Sequence, residues 1–313
     1  MRHALAGVGV VVLAFASLGA TGARSPLEPA GVVWATTRQL VFTSSAGGIY
    51  VISATGGRPR LLTRGTGDVP SVRRDGTLLY GKSGNLLTIP LTGGKPHNLG
   101  SGFSGVWSPD GTRIAYMSNG GDMVENAQGH HKRLVVRNRY GESTGPPTWS
   151  PDGRKLAYVA CRAAFLSFGC EHQTAFDVYV IGVDGSGKQR LTSKPGFPQC
   201  PAWSRAAKLA FFAGDDVVAV VKKGGGMRTL RPGDCPVWAP NGRRLAVATA
   251  TGAFLMNFDG GERKRITVAP RSAGASLGIS WSPDGKWLAV VDGSDHPHLW
   301  VVRTNGTGLR RIA

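Results

Sequence analysis

One phrase, a tryptophan followed by a tight turn and an apolar triplet, returns along this chain at intervals of roughly forty residues, and that periodicity restricts the fold more than any other property of the sequence. Its full form is Trp107-Ser108-Pro109-Asp110-Gly111 before Ile114-Ala115-Tyr116, Trp149-Ser150-Pro151-Asp152-Gly153 before Leu156-Ala157-Tyr158, and Trp281-Ser282-Pro283-Asp284-Gly285 before Leu288-Ala289-Val290. Weaker copies begin at Trp203 and Trp238. In Ser-Pro-Asp-Gly the proline presets φ, the aspartate tolerates the bend and the glycine takes a positive φ, so the phrase joins two antiparallel strands. The tryptophan before the turn offers a large apolar surface to a neighbouring unit, and its repetition suits structure rather than catalysis.

A second phrase follows the first. Ile49-Tyr50-Val51 precedes Leu61-Leu62-Thr63, Val178-Tyr179-Val180 precedes Arg190-Leu191-Thr192, and Leu299-Trp300-Val301 precedes Arg310-Arg311-Ile312, with glycine turns such as Asp184-Gly185, Asp259-Gly260 and Asn305-Gly306 between the halves. The unit is therefore four strands. Starts fall near Trp34, Val72, Trp107, Trp149, Trp203, Trp238 and Trp281, where Trp34 lacks the Pro-Asp-Gly and Val72 replaces the tryptophan. Four-stranded units of this length are propeller blades, so the sequence predicts an all-β propeller of seven antiparallel blades. Six is the fallback, because the third unit shows almost no fourth strand: Tyr140-Gly141-Glu142-Ser143-Thr144 runs straight into Pro146 and Pro147.

Taken together, Trp-Ser-Pro-Asp-Gly, Leu-Ala-Tyr, Tyr-Val, Asp-Gly and Arg-Leu-Thr resemble the WD-type repeat of TolB and of the propellers in prolyl-oligopeptidase-type proteases. The resemblance covers nearly the whole chain after its first residues. It implies a fold more than a function, since propellers host many activities. TolB carries a further N-terminal domain that the residues between Ala23 and Gly31 are too few to supply, and no stretch remains for the hydrolase domain of the proteases.

Arg2 and His3 precede an apolar run from Ala4 to Ala20 and the small residues Ala20-Thr21-Gly22-Ala23, which reads as an export signal cleaved after Ala23. A retained anchor is the alternative, in a run diluted by Gly7, Gly9, Ser17 and Gly19. The expected organisation is a signal over 1–23, a linker over 24–30 and one propeller over 31–313, placed in the periplasm, at the cell surface or outside the cell.

The formal charge is +18, yet most basic residues flank the last strand of a repeat, among them Arg58, Arg60, Arg64, Lys188, Arg190, Arg228, Arg263, Lys264, Arg265, Arg310 and Arg311. That strand is the expected outer edge of a blade, where Lys and Arg discourage edge-to-edge pairing. Nucleic acid is not the expected partner; anionic surface polymers or lipid headgroups are the electrostatic alternative.

Motifs for chemistry are few. Gly274-Ala275-Ser276-Leu277-Gly278 spells a nucleophile elbow, but it leads into the Trp281 strand with no helix after it. Gly100-Ser101-Gly102-Phe103-Ser104-Gly105 spells a dinucleotide fingerprint, again without a helix, and reads as an inter-blade loop. The ionisable candidates for binding are Asp122, Glu125, His130, His131, Glu171, His172, Asp177, Asp295, His296 and His298, all assigned to loops and none in the close spacing of a structural zinc site. No metal or cofactor is expected. Cys200 and Cys235 each lie three residues before a repeat tryptophan and so predict a disulfide between adjacent blades, while Cys161 and Cys170 bracket an inserted loop and predict a local one. Buried thiols are the alternative reading.

Strand direction places the loops between second and third strands on one face, together with the links from one blade to the next. Ser118–Lys132, Cys161–Asp177, Thr192–Pro201 and Asp292–His298 are expected there, opposite the short Pro-Asp-Gly turns. The leading reading is an exported, monomeric, non-catalytic scaffold that binds another protein or a ligand through that face. A module for anionic polymer or saccharide and a small-ester or lactone hydrolase with a metal in the central channel are the rivals.

Overall fold

Each copy of the repeat becomes one antiparallel four-stranded sheet with its strands in chain order. The computed structural model describes residues 29–44, 47–64, 70–137, 146–161, 176–192, 199–213, 218–221, 226–230, 233–249, 252–266, 278–292 and 297–313. Seven blades span 29–64, 71–101, 103–137, 148–190, 199–230, 237–266 and 278–311, with no helix among the described residues. The first strands of successive blades touch each other and so ring the axis, while the fourth strands form the exposed rim.

Register is uniform because the same local chemistry sets it. Trp34, Trp107, Trp149, Trp203, Trp238 and Trp281 pair with Leu40, Ile114, Leu156, Leu209, Leu245 and Leu288, and Val72 pairs likewise with Leu78. In the full repeat the serine and aspartate lock the turn: Ser150 Oγ donates to Asp152 Oδ1 at 2.6 Å and accepts the Lys155 N–H at 2.9 Å. Gly153, at φ 66°, occupies the left-handed region that a side chain disfavours.

Blades adhere through three layers of contact. Near the axis, the indole N–H of Trp149, Trp238 and Trp281 donates to the carbonyl of Val106, Ala202 and Val237, in each case the residue just before the repeat tryptophan of the preceding blade. Where that residue is a serine, the backbone N–H of Trp107 or Trp34 instead donates to Ser71 Oγ or Ser280 Oγ. Midway, alternate strand residues fill apolar clusters that each straddle two blades. At the rim, a basic side chain opening the fourth strand reaches the third–fourth turn of the next blade: Arg60 donates to Leu91 O, Arg133 to Asp184 O, Arg228 to Asp259 O, Lys264 to Asn305 O and Arg310 to Ala54 O. The basic rim therefore clasps blades together as well as blunting the sheet edges.

Among the described residues the ring closes without exchanging strands. Blade one lies wholly before blade two and blade seven wholly after blade six, so the last seam consists of side chains: Trp34, Leu40 and Phe42 against Ala289, Leu299 and Val301, with the Ser280 and Arg310 bonds. A disulfide, Cys200–Cys235, ties blade five to the link before blade six across a Cα–Cα distance of 5.3 Å. The proposed partner of Cys161, Cys170, lies outside the described residues, as does Ser276.

Two expectations need correction. The third unit is complete: Gly121–Asn126 is its third strand and Arg133–Arg137 its fourth, so Ser118–Lys132 is not one loop. Asp122 and Glu125 disguised the strand by placing charges where an apolar pattern was sought. The stretch from Gly100 to Gly105 is no flexible loop either, since Ser101 ends one strand and Phe103 begins the next.

Candidate functional site

The predicted site residues divide between the two ends of the propeller. Second–third hairpins and inter-blade links open on one face, called here the hairpin face; first–second and third–fourth turns form the turn face. His130 and His131 lie on the turn face, in the third–fourth turn of blade three, and are exposed. Their backbone repeats that of other blades: Asn126 N–H donates to His130 O as Gly182 does to Ser186 and Arg303 to Thr307. His131, at φ 55°, takes the conformation that Gly187 and Gly308 take two residues after their own turn glycines. Both histidines are accounted for as turn residues.

Glu125 is a core residue. It faces Ile114, where the other six blades pair the same position with Ile52, Ile89, Ile181, Val221, Met256 and Val302. It is 1 % exposed. Burial pushes its carboxyl above the ordinary range, against the pull of Lys132, whose Nζ stands 3.6 Å away and donates to Leu99 O of blade two at 3.0 Å. The buried Tyr116 hydroxyl is pushed up as well, by burial and then by Glu125. Blade two has no Lys or Arg on its fourth strand, His97–Ser101, so Lys132 reaching backward replaces the missing rim clasp.

Asp122 and Asp177 stand at the hairpin-face end of the third strands of blades three and four, and both are fully buried. Alternation aims them at the seam between those blades, since Val124 on one strand and Tyr179 and Ile181 on the other pack there. Asp177 Oδ1 accepts Thr192 Oγ at 2.7 Å, and Arg190 lies 4.0 Å from Oδ2. The assignment of these two acids to loops is thus corrected: the structure places them inside strands.

His298 belongs to blade seven with an acid that the sequence reading did not single out. Asp292 is 1 % exposed, accepts the His298 N–H at 2.9 Å and the Trp300 indole at 2.6 Å, and approaches His298 Nδ1 to 3.4 Å. An aspartate orienting a partly exposed imidazole supplies two of the three members of a hydrolytic triad. No serine, threonine or cysteine hydroxyl or thiol bonds that imidazole among the described residues. Glu171, His172, Asp295 and His296 lie outside the described residues.

The axis-lining first strands, by contrast, contain no acid, histidine, lysine or arginine. Among the described residues no group of three or more His, Cys, Asp and Glu side chains comes together as metal ligands would. No helix there is long and apolar enough to cross a membrane.

This ring of seven blades has counterparts among solved structures. The fold is that of a TolB-like propeller. TolB from Acinetobacter baumannii superposes with a TM-score of 0.57 at 15 % identity, over 90 % of this chain and 78 % of its own. An oligogalacturonate lyase in complex with manganese gives 0.65 at 14 % identity over 90 % and 84 %. The tricorn protease gives 0.66 at 13 % identity over 95 % of this chain and 35 % of its own. No protein-family model and no curated protein matches the sequence. At such identities the likeness describes the fold, and function has to come from the residues.

Proposed function

We propose that this chain is an exported, non-catalytic propeller that binds another macromolecule through its hairpin face. The observation that carries the reading is the gathering of varied chemistry at one end of an otherwise regular ring. Three of the four buried carboxylates among the described residues, Asp122, Asp177 and Asp292, end there. The longest links between strands, 138–147, 162–175 and 267–277, also leave from and return to that face. On the opposite face the described turns are short, with Ser-Pro-Asp-Gly in three of the seven first–second turns. Rigid scaffolds place recognition on such links. The signal-like N-terminus supports export, and so does the Cys200–Cys235 disulfide, a bond kept in oxidising compartments.

Cross-linking in intact cells, followed by identification of the captured molecule, tests the reading. Lys82→Glu with Asn119→Arg alters exposed hairpin-face positions, and Arg154→Glu with Asn241→Arg alters exposed turn-face ones. The first pair is expected to weaken capture and the second to leave it unchanged; the reverse pattern rejects the assignment.

A further inference from the structure

The rim carries a charge pattern that neither the clasps nor the hairpin face absorbs. The seven described fourth strands hold ten Lys and Arg residues, all exposed, spread over six blades, and not one Asp or Glu. Edge protection by Lys and Arg explains one or two such charges on a blade, but it does not require that acids be absent from all seven strands. Here a single sign runs around the circumference. Five of the ten donate to backbone carbonyls of the next blade, among them Arg60, Arg310 and Arg133, and of these three only Arg133 also draws on a carboxyl, that of Asp184. A carbonyl fixes a guanidinium in place without cancelling its charge, and the remaining N–H groups of that planar fork suit an oxyanion.

We infer that the outer rim is a binding surface for an acidic polysaccharide, a flexible chain of carboxylated sugars lying across the fourth strands of successive blades. The shape of the charge selects this class. A flat lipid surface meets a convex rim along one or two blades only, and charge on six is redundant for it. Single-stranded nucleic acid is held by stacking its bases on aromatic side chains as well as by charge. The fourth strands contain no Phe, Tyr or Trp. A base-free polymer that bends around the ring uses all of the observed features. This surface is separate from the hairpin face, and either can fail without the other.

Alginate, as a soluble uronate polymer, is the probe, with titration at low salt and at about 0.15 M ionic strength. Wild type is expected to bind with an affinity that falls steeply with salt as counterions are released. Arg64→Gln, Arg137→Gln and Arg311→Gln together remove three exposed rim charges that take no part in the clasps. Binding should fall about tenfold, the sum of three screened ionic contacts. Arg74→Gln, Arg154→Gln and Arg243→Gln remove the same charge from exposed turn-face positions, and should leave alginate binding close to wild type. In the unmutated protein, alginate should also protect Arg64, Arg137 and Arg311 from an arginine-specific reagent. The inference is overturned if wild type does not bind alginate, if both triple variants lose equally, or if rim arginines are not protected. Tighter binding to an oligothymidylate or to anionic phospholipid vesicles overturns it in favour of those partners.

Discussion

Glu125→Met should make this protein more stable, although it removes one half of an ion pair. The carboxylate is 1 % exposed and sits where blade six carries Met256, so methionine of similar volume restores the local pattern. At 3.6 Å, two unit charges attract by about 4–5 kcal/mol at an effective dielectric near 20 and by little more than 1 kcal/mol in water. Lys132 is 40 % exposed, so the attraction lies between these limits. Desolvating the carboxylate costs several kcal/mol, and buried pairs replaced by apolar residues commonly gain about 1–4 kcal/mol. We expect a gain of about 1–2 kcal/mol at pH 7, a rise of a few degrees in melting temperature for a chain of this size. The pH dependence has a definite sign. Because burial holds the folded-state carboxyl above its ordinary value of 4.5, its penalty is full above the raised value and is relieved as pH falls from there toward the ordinary one. The advantage of Glu125→Met should therefore shrink on acidification. Lys132→Met strands the carboxylate instead and should cost about 3 kcal/mol at pH 7, less in acid. Urea denaturation followed by tryptophan fluorescence at pH 7 and pH 4.5 measures all of this. A loss of more than 1 kcal/mol on Glu125→Met at pH 7, with the fold intact, would refute the reasoning.

The other expectations concern the seams and turns. Trp149→Phe should cost more than Trp203→Phe, by about 1 kcal/mol, because Trp149 loses a hydrogen bond to Val106 O whereas the Trp203 indole has no partner among the described residues; paired denaturation curves decide it. His131→Gly relieves a left-handed φ of 55° and should stabilise by about 0.5–1 kcal/mol, whereas the same change at neighbouring His130 should not. Replacing Cys200 and Cys235 by serine opens a loop of sequence separation 35 and should cost about 3–4 kcal/mol, read as a shift in the urea midpoint. The turn carboxyls of Asp110, Asp152 and Asp284 are held below their usual range, first by the serine hydroxyl beside each. The stability they lend is complete above pH 4 and is lost as pH falls further, a loss that Asp152→Asn should reduce.

The fold was legible because a propeller repeats its local chemistry. The residue before each turn must fill an inter-blade gap and the turn must reverse the chain in a few residues, so Trp and Pro-Asp-Gly recur and every first strand ends where the sequence places it. The third strand of blade three escaped because it violates the apolar pattern at Asp122 and Glu125. Sequence periodicity registers a buried charge as a loop residue; only the position-by-position comparison with Met256 and Val302 reveals a core position. The site was less legible for a related reason. Proximity between Asp292 and His298 is set by a hairpin, and the division of acids between two faces depends on strand direction, which a misplaced strand reverses. The meaning of the basic rim changed too: the sequence shows charges beside edge strands, and the structure shows five of them spanning to the next blade.

Closure by side chains alone bears on how such a ring can change in size over generations. Every blade is one uninterrupted stretch of chain, and every boundary between blades coincides with a boundary between copies of the repeat. Duplication or loss of one copy in the coding sequence therefore adds or removes a whole blade, and the join is re-formed by an indole, a serine and an arginine that recur around the ring. A propeller closed by pairing strands from its two ends would be left with a half-made sheet by the same event.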